Sequence, residues 1–544
     1  MNDFLDKTTL NTVLQGEGNA PLSAPFPEST LRLDEICTEL TPVFSWRNSD
    51  GGTRPVKYTL QVDTCAKFNS ENLIEMRDIP EGIYTTAVTL DKYLIDRTQW
   101  FYRIMATDAT GTQSDWSTEC GGVTNRFFVS TKENRVHEYL RLPILDVSTS
   151  CGCGKENIVD YDDKSVSYWE GMAGLKEHWV EVDLGAEKTI SRIFILSGSA
   201  GWKAALPENR GWNDSQNLDG RLKNYIWQYS SNGTTWTDVE ASKCEDADAF
   251  RRIIDLPETI TARFLRLLIE EWHGQTPRVY GIMLYSKEQP TVPEVPENDY
   301  VLVISNIVGF KPEKGKVKTD FGQMIRGEGG HIAPPWNLDV LEIPAHAFSV
   351  ESFSKVKKPP IAIFLSGSPN TFCQLPMFEF NGEFELVRTS KIPIWGSCAG
   401  VQIMVMAYGS TYSRNTGRSY RTYTVKDIID QDIPTIQVQN NDPIFAGMNN
   451  PFYGPELHTW MAHTIPSGWS VLATSQDTQG FICTEMIRDP PRLLYGSQFH
   501  PEIVQPFSCS KVLILNFLHM AIENKNSQHT NTCDLSVANY TLRK

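Results

Sequence analysis

At 544 residues the chain is too long for a single hydrophobic core, and its length predicts about three or four domains. Its composition, 40% hydrophobic and 21% charged, is that of an ordinary globular protein whose domains can bury a core without disulfides or metals. A net charge of −16 disfavours non-specific binding to nucleic acid or to an anionic membrane.

Two further features favour a cytoplasmic location. The N-terminal segment has no secretory signal pattern, and no apolar run is long enough to span a bilayer. The 11 cysteines are odd in number and scattered, which suits a reducing compartment. Cys151 and Cys153 form a C-x-C pair, with Cys120 before it, but no second close pair follows. We therefore interpret these three as free thiols, and the sequence predicts neither a metal site nor a cofactor.

Residues 1–30 are polar, contain proline and show no sustained period, which predicts a flexible N-terminus. From 31 to 132, short alternating strands such as VKYTLQVD and TQWFYRIMATD are separated by turn clusters such as NSDGG. This texture predicts an antiparallel β-sandwich. Trp46, Tyr58 and the strand of Trp100 lie where aromatic residues pack in the core, and the arrangement resembles a fibronectin type III domain.

Residues 138–287 form a second β-rich region, with the motifs HWVEVDLG, ISRIFILSG and RLKNYIWQYSSNGTTWTDV in order. These motifs resemble the discoidin, or coagulation-factor C-type, jelly roll. In that family ligands meet the loops at one end of the barrel, which correspond here to 161–171 and 198–220. The second loop is rich in Trp and Asn and would suit a carbohydrate or a partner protein; a solvated loop is the alternative. Asp162 and Asp163 suggest either a weak Ca²⁺ site or plain surface.

Residues 288–299 contain spaced prolines and predict a semi-rigid linker. After the linker, the sequence pattern over 300–524 is typical of an α/β domain. Its apolar segments YVLVISN, PIAIFLSG and IPIWG indicate a sheet with parallel strands. The linker predicts that this domain folds on its own. Residues 525–544 have the composition of a tail. The predicted architecture is thus two all-β domains followed by an α/β domain.

The segment KIPIWGSCAGVQIMVMAY contains the pattern G-x-C-x-G between an apolar strand and an amphipathic helix. Gly396 and Gly400 let the backbone turn sharply, so that Cys398 points out of the sheet, as in a nucleophile elbow. The following helix directs its positive end at Cys398 and favours the thiolate. A structural cysteine would not need two flanking glycines, so we predict that Cys398 is a nucleophile.

The segment LLYGSQFHPEIV delivers His500 at the end of a strand, with Glu502 two residues later. His500 can accept the thiol proton and later protonate a leaving ammonia. Glu502 can fix the imidazole tautomer and stabilise its charged form. A lone histidine near a strand end is usually structural, but this run follows the G-x-C-x-G segment by about a hundred residues, which favours a catalytic pair.

The segment FLSGSPNTF places a turn after a strand, some thirty residues before the elbow. Its backbone can present the N–H of Gly367 or Ser368 to a reacting carbonyl. Together with the N–H of Ala399 this would form an oxyanion hole. Alone, S-G-S-P is an ordinary turn.

These three segments, in this order, resemble the class I (triad-type) glutamine amidotransferases. The resemblance implies that Gln402 and His458 contact the substrate, and NDPIFAGM also resembles a family segment. Two departures concern the substrate pocket. The family more commonly has G-G-P where this chain has Ser368, and the family's Glu and Gly after the elbow helix are replaced by an Arg- and Tyr-rich stretch, 411–425.

The resemblance implies an enzyme that hydrolyses L-glutamine through a Cys398 thioester and releases ammonia. Since the sequence has no P-loop, the ammonia acceptor is expected on a partner synthetase, with the β-domains as docking or ligand-binding modules. One alternative is a γ-glutamyl peptidase or hydrolase that uses the same triad on a larger conjugate. The other is a scaffold that has lost activity, against which the intact Cys398, His500 and Glu502 argue.

Overall fold

The structure is a computed structural model. It describes residues 21–27, 35–37, 39–82, 85–95, 98–117, 125–129, 139–151, 153–159, 168–198, 219–245, 251–309, 316, 318–331, 333–368, 376–408, 412–414, 435–458, 460–462, 465–476, 482–503 and 511–530.

The described residues of the first region form strands. Their bounds are β1 (Phe26–Pro27), β2 (Glu35–Cys37), β3 (Val43–Arg47), β4 (Lys57–Asp63), β5 (Ile74–Pro80), β6 (Thr85–Thr89), β7 (Thr98–Thr107) and β8 (Asn125–Val129). They form a sheet of order β1-β3-β6 and a second of order β2-β8-β7-β4-β5. Trp46 of the first sheet meets Tyr58 of the second edge to face at 5.3 Å, so the aromatic residues fill the space between the sheets, as the sequence predicts.

The described part of the second region forms a large antiparallel sheet and includes the 3₁₀ turn Lys155–Ile158. Its strands are β9 (Leu140–Arg141), β10 (Asp146–Thr149), β11 (Trp169–Glu170), β12 (His178–Ser197), β13 (Leu222–Ser230), β14 (Thr237–Cys244), β15 (Arg251–Trp272) and β16 (Arg278–Ser286). The order is β11-β16-β12-β15-β13-β14, with β10 on β12 and β9 on β16. The sheet encloses its own apolar core around Trp169 and Trp227.

The third region is an α/β domain. Its strands are β17 (Tyr300–Ser305), β18 (Asp339–Pro344), β19 (Ile363–Leu365), β20 (Ile394–Ser397), β21 (Tyr412–Arg414), β22 (Gln437–Val438), β23 (Trp460–Ala462), β24 (Ser470–Gln476), β25 (Ile482–Asp489) and β26 (Leu494–Ser497). Its α-helices are α1 (Asp320–Arg326), α2 (Val350–Phe353), α3 (Asn381–Thr389), α4 (Ala399–Met406) and α5 (Lys511–Thr530).

The sheet of the third region has the order β18-β17-β19-β20-β26-β25-β24-β22. The first five strands are parallel, with Tyr300 opposite Asp339 and Ile394 opposite Leu494, and the last three are antiparallel. Parallel strands have their carboxyl ends at one edge of the sheet, where ligands usually bind. The segments that follow β19, β20 and β26 therefore meet there.

The second and third regions share a hydrophobic core, which differs from the predicted independence of the α/β domain. Phe194, Met283 and Tyr285 of the second region belong to one apolar cluster with Leu302 and Phe380 of the third. The linker lies against the α/β domain as well, since the carbonyl of Pro290 accepts a hydrogen bond from Ser352 Oγ. The spaced prolines therefore join two packed bodies.

A buried ion pair lies at the centre of this interface. The guanidinium of Arg141, in β9, donates two hydrogen bonds to the carboxylate of Glu379. One of them joins Nε to Oε1 at 2.6 Å. Tyr285 donates to the same carboxylate oxygen at 2.8 Å. The side chains of Arg141 and Glu379 are only 8% and 3% exposed. Breaking such a buried pair by removing one partner costs about 3–5 kcal/mol, so this contact ties the two regions together.

The chain ends differ from the predicted boundaries in two places. Phe26 and Pro27, assigned by the sequence to the flexible N-terminus, pair with Arg47 and Trp46 of β3. Helix α5 continues to Thr530, beyond the predicted start of the tail at residue 525. No helix among the described residues is long and apolar enough to cross a membrane.

The shared core predicts that the α/β domain is poorly soluble alone. A fragment that starts at Pro296 would expose the apolar cluster around Leu302 and leave Glu379 without Arg141. We expect it to aggregate, and to become soluble when residues 139–290 are co-expressed. Size-exclusion chromatography of both preparations checks this. A monomeric fragment that unfolds at the midpoint of the full chain would contradict the shared core.

Glu383 of α3 is a buried carboxyl group in the same domain. It is fully inaccessible to solvent, and neither of its oxygens has a hydrogen-bond partner among the described residues. Burial raises the pKa of Glu383 well above its usual value, because the charged form loses its hydration. The folded protein therefore keeps Glu383 protonated at a pH where the unfolded chain ionises it.

The pKa of Glu383 is higher in the folded protein than in the unfolded chain. The free energy of unfolding therefore falls as pH rises from the pKa of the unfolded state toward the pKa of the folded state. Glu383→Leu should remove that dependence and raise the free energy of unfolding by about 1–3 kcal/mol near neutral pH, with a smaller gain near pH 5. Chemical denaturation across pH measures both effects. The control is Glu351→Leu, since the Glu351 side chain is 54% exposed. An equal gain at both pH values would show that Glu383 does not titrate on unfolding.

Candidate active site

The nucleophile elbow is formed by β20, Cys398 and α4. Cys398 has φ 52° and ψ −107°, a backbone conformation that costs about 1–3 kcal/mol for a residue other than glycine. A Cβ at Gly396 would lie 2.7 Å from the backbone of Gly400, and one at Gly400 would lie 2.3 Å from the carbonyl oxygen of Leu365. Both glycines are therefore required by close packing between strand and helix, and the turn directs Cys398 to the carboxyl edge of the sheet.

The segment after β26 brings a histidine and a carboxylate to the same edge. His500 Nδ1 lies 2.8 Å from Glu502 Oε1, and the backbone N–H of His500 donates to the carbonyl of Pro455 at 2.7 Å. Glu502 is 2% exposed and His500 8%. Because Nδ1 is occupied by Glu502, Nε2 is the nitrogen that remains for proton exchange with a thiol.

The electrostatics favour a charged imidazole. Burial by itself lowers the pKa of His500, but the nearby charges of Glu502 and Cys398 outweigh it and hold the pKa well above its ordinary value. The three residues singled out in the sequence therefore form one electrostatic unit.

Ser397 supports this unit and was not singled out from the sequence. Its hydroxyl donates to Glu502 Oε2 at 3.0 Å and accepts from Trp395 Nε1 at 3.1 Å. Ser397 is fully buried. Its hydrogen bond occupies Oε2 of Glu502, whereas His500 contacts Oε1. The pattern G-x-C-x-G does not specify the residue before the cysteine. The only indication in the sequence was a hydroxyl side chain at a position where an apolar side chain would pack equally well.

The predicted oxyanion loop lies beside the catalytic pair. A Cβ at Gly367 would be 2.6 Å from Cε1 of His500 and 3.5 Å from Cβ of Cys398, so only glycine fits. Asn306, which follows β17, fixes the loop through Ser366: its backbone N–H donates to Ser366 Oγ at 2.9 Å and its Nδ2 to the Ser366 carbonyl at 2.7 Å. The loop thus starts from a rigid contact with the neighbouring strand end.

Gln402, predicted to contact the substrate, lies one turn into α4. Its backbone N–H donates to the Cys398 carbonyl at 3.2 Å, and its Nε2 lies 3.4 Å from Gln498 Oε1. Gln498 Oε1 also accepts from the backbone of Ala462 at 3.1 Å. Gln402 and Gln498 therefore connect the elbow helix to β26 and β23 next to the nucleophile.

His458, the second predicted substrate contact, belongs to a buried polar cluster. Its Nε2 lies 3.3 Å from Glu456 Oε2, and the ligand atoms of Glu456, His458 and Glu485 all lie within 4.8 Å of one another. All three are at most 5% exposed. By donor type and spacing this is a group within the described residues that could hold a metal ion, although the sequence predicts none.

Several predicted features lie largely outside the described residues. These are most of the loops 161–171 and 198–220, the acidic pair Asp162 and Asp163, and the stretch 411–425, of which only β21 is described. Cys120 also lies outside them. Cys151 and Cys153 are free thiols, and Cys151 Sγ lies 3.3 Å from His178 Nδ1.

Comparisons with known proteins agree with this geometry. The family model "Glutamine amidotransferase class-I" matches residues 334–520, and "NedA-like, galactose-binding domain" matches residues 157–267. The glutamine-hydrolysing GMP synthase of Staphylococcus aureus strain MSSA476 is 31% identical over 189 residues, which cover 34% of this chain and 32% of that protein. The chain thus spans about a third of the length of this relative.

Solved structures give weaker similarities. A crystal structure described as that of a GMP synthase component from Thermoplasma acidophilum is 17% identical, with a TM-score of 0.33, over 42% of this chain and 98% of that one. A chitosan-binding module of a chitosanase/glucanase from Paenibacillus sp. IK-5 is 18% identical, with a TM-score of 0.20, over 28% of this chain and 99% of that one.

The family matches and the elbow geometry concern the same residues. The C-terminal α/β region of this multidomain chain is a class I glutamine amidotransferase domain, and the β-rich region before it is a discoidin-like, galactose-binding domain.

Proposed function

We propose that this chain hydrolyses the side-chain amide of L-glutamine, with Cys398 as nucleophile, His500 as acid and base, and Glu502 as the group that orients His500. The observation that carries the proposal is the placement of Cys398 on a strained elbow beside a buried His500–Glu502 pair joined at 2.8 Å. It lies in a domain of a family that is named for glutamine-dependent chemistry.

In the first step the Cys398 sulfur attacks the amide carbon of glutamine. A tetrahedral intermediate forms, and its negative oxygen would be stabilised by the backbone N–H groups of Ala399 and of Gly367 or Ser368. His500 donates its Nε2 proton to the leaving nitrogen, so that ammonia departs and a γ-glutamyl thioester remains on Cys398.

In the second step neutral His500 accepts a proton from water, which attacks the thioester carbon. The C–S bond breaks, glutamate leaves, and the sulfur returns to the thiolate that the imidazolium stabilises. Glu502, held by Ser397 on one oxygen and His500 on the other, keeps the ring in one tautomer through both steps. Gln402 and His458 remain our candidates for residues that line the glutamine pocket.

We propose that the ammonia serves a synthetase on a partner polypeptide. The similarity to a glutamine-hydrolysing GMP synthase, which covers only a third of that protein, supports the transfer of ammonia in general and not a particular acceptor. The absence of a P-loop from the sequence favours an acceptor reaction carried elsewhere.

The two β-rich domains are proposed to bind ligands or partners. The fibronectin type III assignment of residues 31–132 is supported by the two facing sheets with an aromatic core. The galactose-binding model over residues 157–267 supports a carbohydrate or protein ligand for the second domain. The free thiols of Cys65, Cys151 and Cys153 support a reducing, cytoplasmic location.

A γ-glutamyl peptidase or hydrolase is the second candidate. The same three residues would cleave a γ-glutamyl conjugate, with an amine as leaving group. It is favoured by the sequence of the stretch 411–425, which departs from the family pattern at the rim of the substrate pocket.

Cys398→Ala should lower glutamine hydrolysis at least about a thousandfold, because the members of such a triad act as a unit. Cys483→Ala is the matched control, since Cys483 is a buried cysteine of the same domain. Labelling with a glutamine-analogue chloroketone and mass spectrometry should identify Cys398 as the modified residue. Full glutaminase activity in Cys398→Ala would refute the proposed nucleophile.

A substrate panel separates the two candidate enzymes. We expect the purified chain to release ammonia from glutamine slowly and to cleave γ-glutamyl dipeptides even more slowly, because an amidotransferase pocket is built for the unsubstituted amide. Steady-state assays of kcat/KM on glutamine and on several γ-glutamyl dipeptides measure this ratio. Strong dipeptide cleavage with negligible glutaminase would replace the proposal by the γ-glutamyl peptidase.

A further inference from the structure

Arg141 contacts the amidotransferase domain at two points that flank the oxyanion loop in sequence. Its NH1 donates to the carbonyl of Val308 at 2.7 Å, two residues after Asn306. Its Nε and NH2 bind Glu379, which follows the loop at Ser366–Ser368. Arg141 of the discoidin-like domain thus contacts both Val308, in the segment that supports the loop, and Glu379, which follows the loop in the sequence.

The surroundings make this contact rigid. The ring of Phe378, next to Glu379, meets Tyr285 edge to face at 4.9 Å and Tyr139 at 5.5 Å. The guanidinium of Arg192 lies 4.5 Å from the centre of the same ring. The discoidin-like domain therefore encloses the 3₁₀ turn Met377–Phe380 with aromatic and charged groups that cannot shift independently.

The supporting segment connects directly to the proposed oxyanion hole. Asn306 holds Ser366 by two hydrogen bonds, Ser366 Oγ also donates to the Gly367 carbonyl at 2.8 Å, and Gly367 lies against His500. A displacement of Val308 would therefore move Asn306 and, through Ser366, the N–H groups of Gly367 and Ser368. Oxyanion stabilisation depends on such groups being held within a fraction of an ångström.

We propose that Arg141 and Tyr285 are positioning residues of the amidotransferase reaction: from the discoidin-like domain they fix the oxyanion loop of the catalytic domain. The inference rests on the proposed function, because it assigns a role in that site. It gives the discoidin-like domain a part in catalysis in addition to any ligand of its own. Groups that act only on the transition state change kcat, whereas groups that bind the substrate change KM.

The test uses the full-length protein with two graded variants. Arg141→Lys keeps the charge but loses the two-armed contact with Glu379. Tyr285→Phe removes the hydroxyl contacts with Glu379 and with the sulfur of Met283 while keeping the ring against Phe378. The matched control is Arg278→Lys in the same domain, where Arg278 binds Glu170 at 2.9 Å and Asp219 at 2.7 Å. Thermal unfolding of all three shows whether each remains folded.

We expect Arg141→Lys to lower kcat by about tenfold or more and Tyr285→Phe by a few-fold, with KM for glutamine nearly unchanged. The Ki of L-glutamate γ-semialdehyde, whose tetrahedral thiol adduct places its oxygen in the hole, should rise by the factor by which kcat falls. The Arg278→Lys control should leave both constants unchanged. A loss confined to KM, or a kcat unchanged in Tyr285→Phe and in folded Arg141→Lys, would overturn the inference.

Amide hydrogen exchange measures the local stability of the same loop in the absence of substrate. Amides of residues 366–368 should exchange faster in Arg141→Lys and Tyr285→Phe than in the wild type, while those of β18 should not. If Arg141→Lys does not fold, the kinetic constants and exchange rates of Tyr285→Phe test the inference. A wild type that hydrolyses neither glutamine nor γ-glutamyl conjugates would refute the proposed function, and the exchange rates would still show whether Arg141 and Tyr285 position the loop.

Discussion

The left-handed backbone of Cys398 is the constraint on which the rest of the site depends. It exists because α4 approaches β20 and β19 so closely that Gly396 and Gly400 have no room for a side chain. The short turn leaves the sulfur at the carboxyl edge of a parallel sheet, where the ends of β19 and β26 supply Gly367 and His500. Relaxing this one turn would move Cys398 away from both His500 and Gly367.

Two of the buried carboxylates of this domain are compensated by hydrogen-bonding partners. Glu502 has His500 on one oxygen and Ser397 on the other, and Glu379 has Arg141 and Tyr285. Glu383 lacks such partners among the described residues and is kept neutral by its raised pKa. Pairing thus accommodates Glu502 and Glu379 in the interior of the domain, and protonation accommodates Glu383.

Local patterns in the sequence were enough to predict the elbow, the His500–Glu502 pair and the parallel sheet, because each depends on residues within a few positions. Partners far apart along the chain were not predictable. Ser397 and Glu502 are separated by 105 positions, and Arg141 and Glu379 by 238. The shared core had a sequence signal that was missed: β16 ends in the unbroken apolar run GIMLY, where a strand with one solvated face would alternate.

The Arg141–Glu379 contact also bears on how such a protein can evolve by exchange of domains. A recombination within the linker that brought in a different β-domain would leave Glu379 in an apolar site without its cation, at a cost of about 3–5 kcal/mol. The incoming domain would need both an arginine at the end of its first strand and an apolar surface to cover Phe378. Exchange of one domain alone would therefore destabilise the protein, and we expect the two domains to be inherited together.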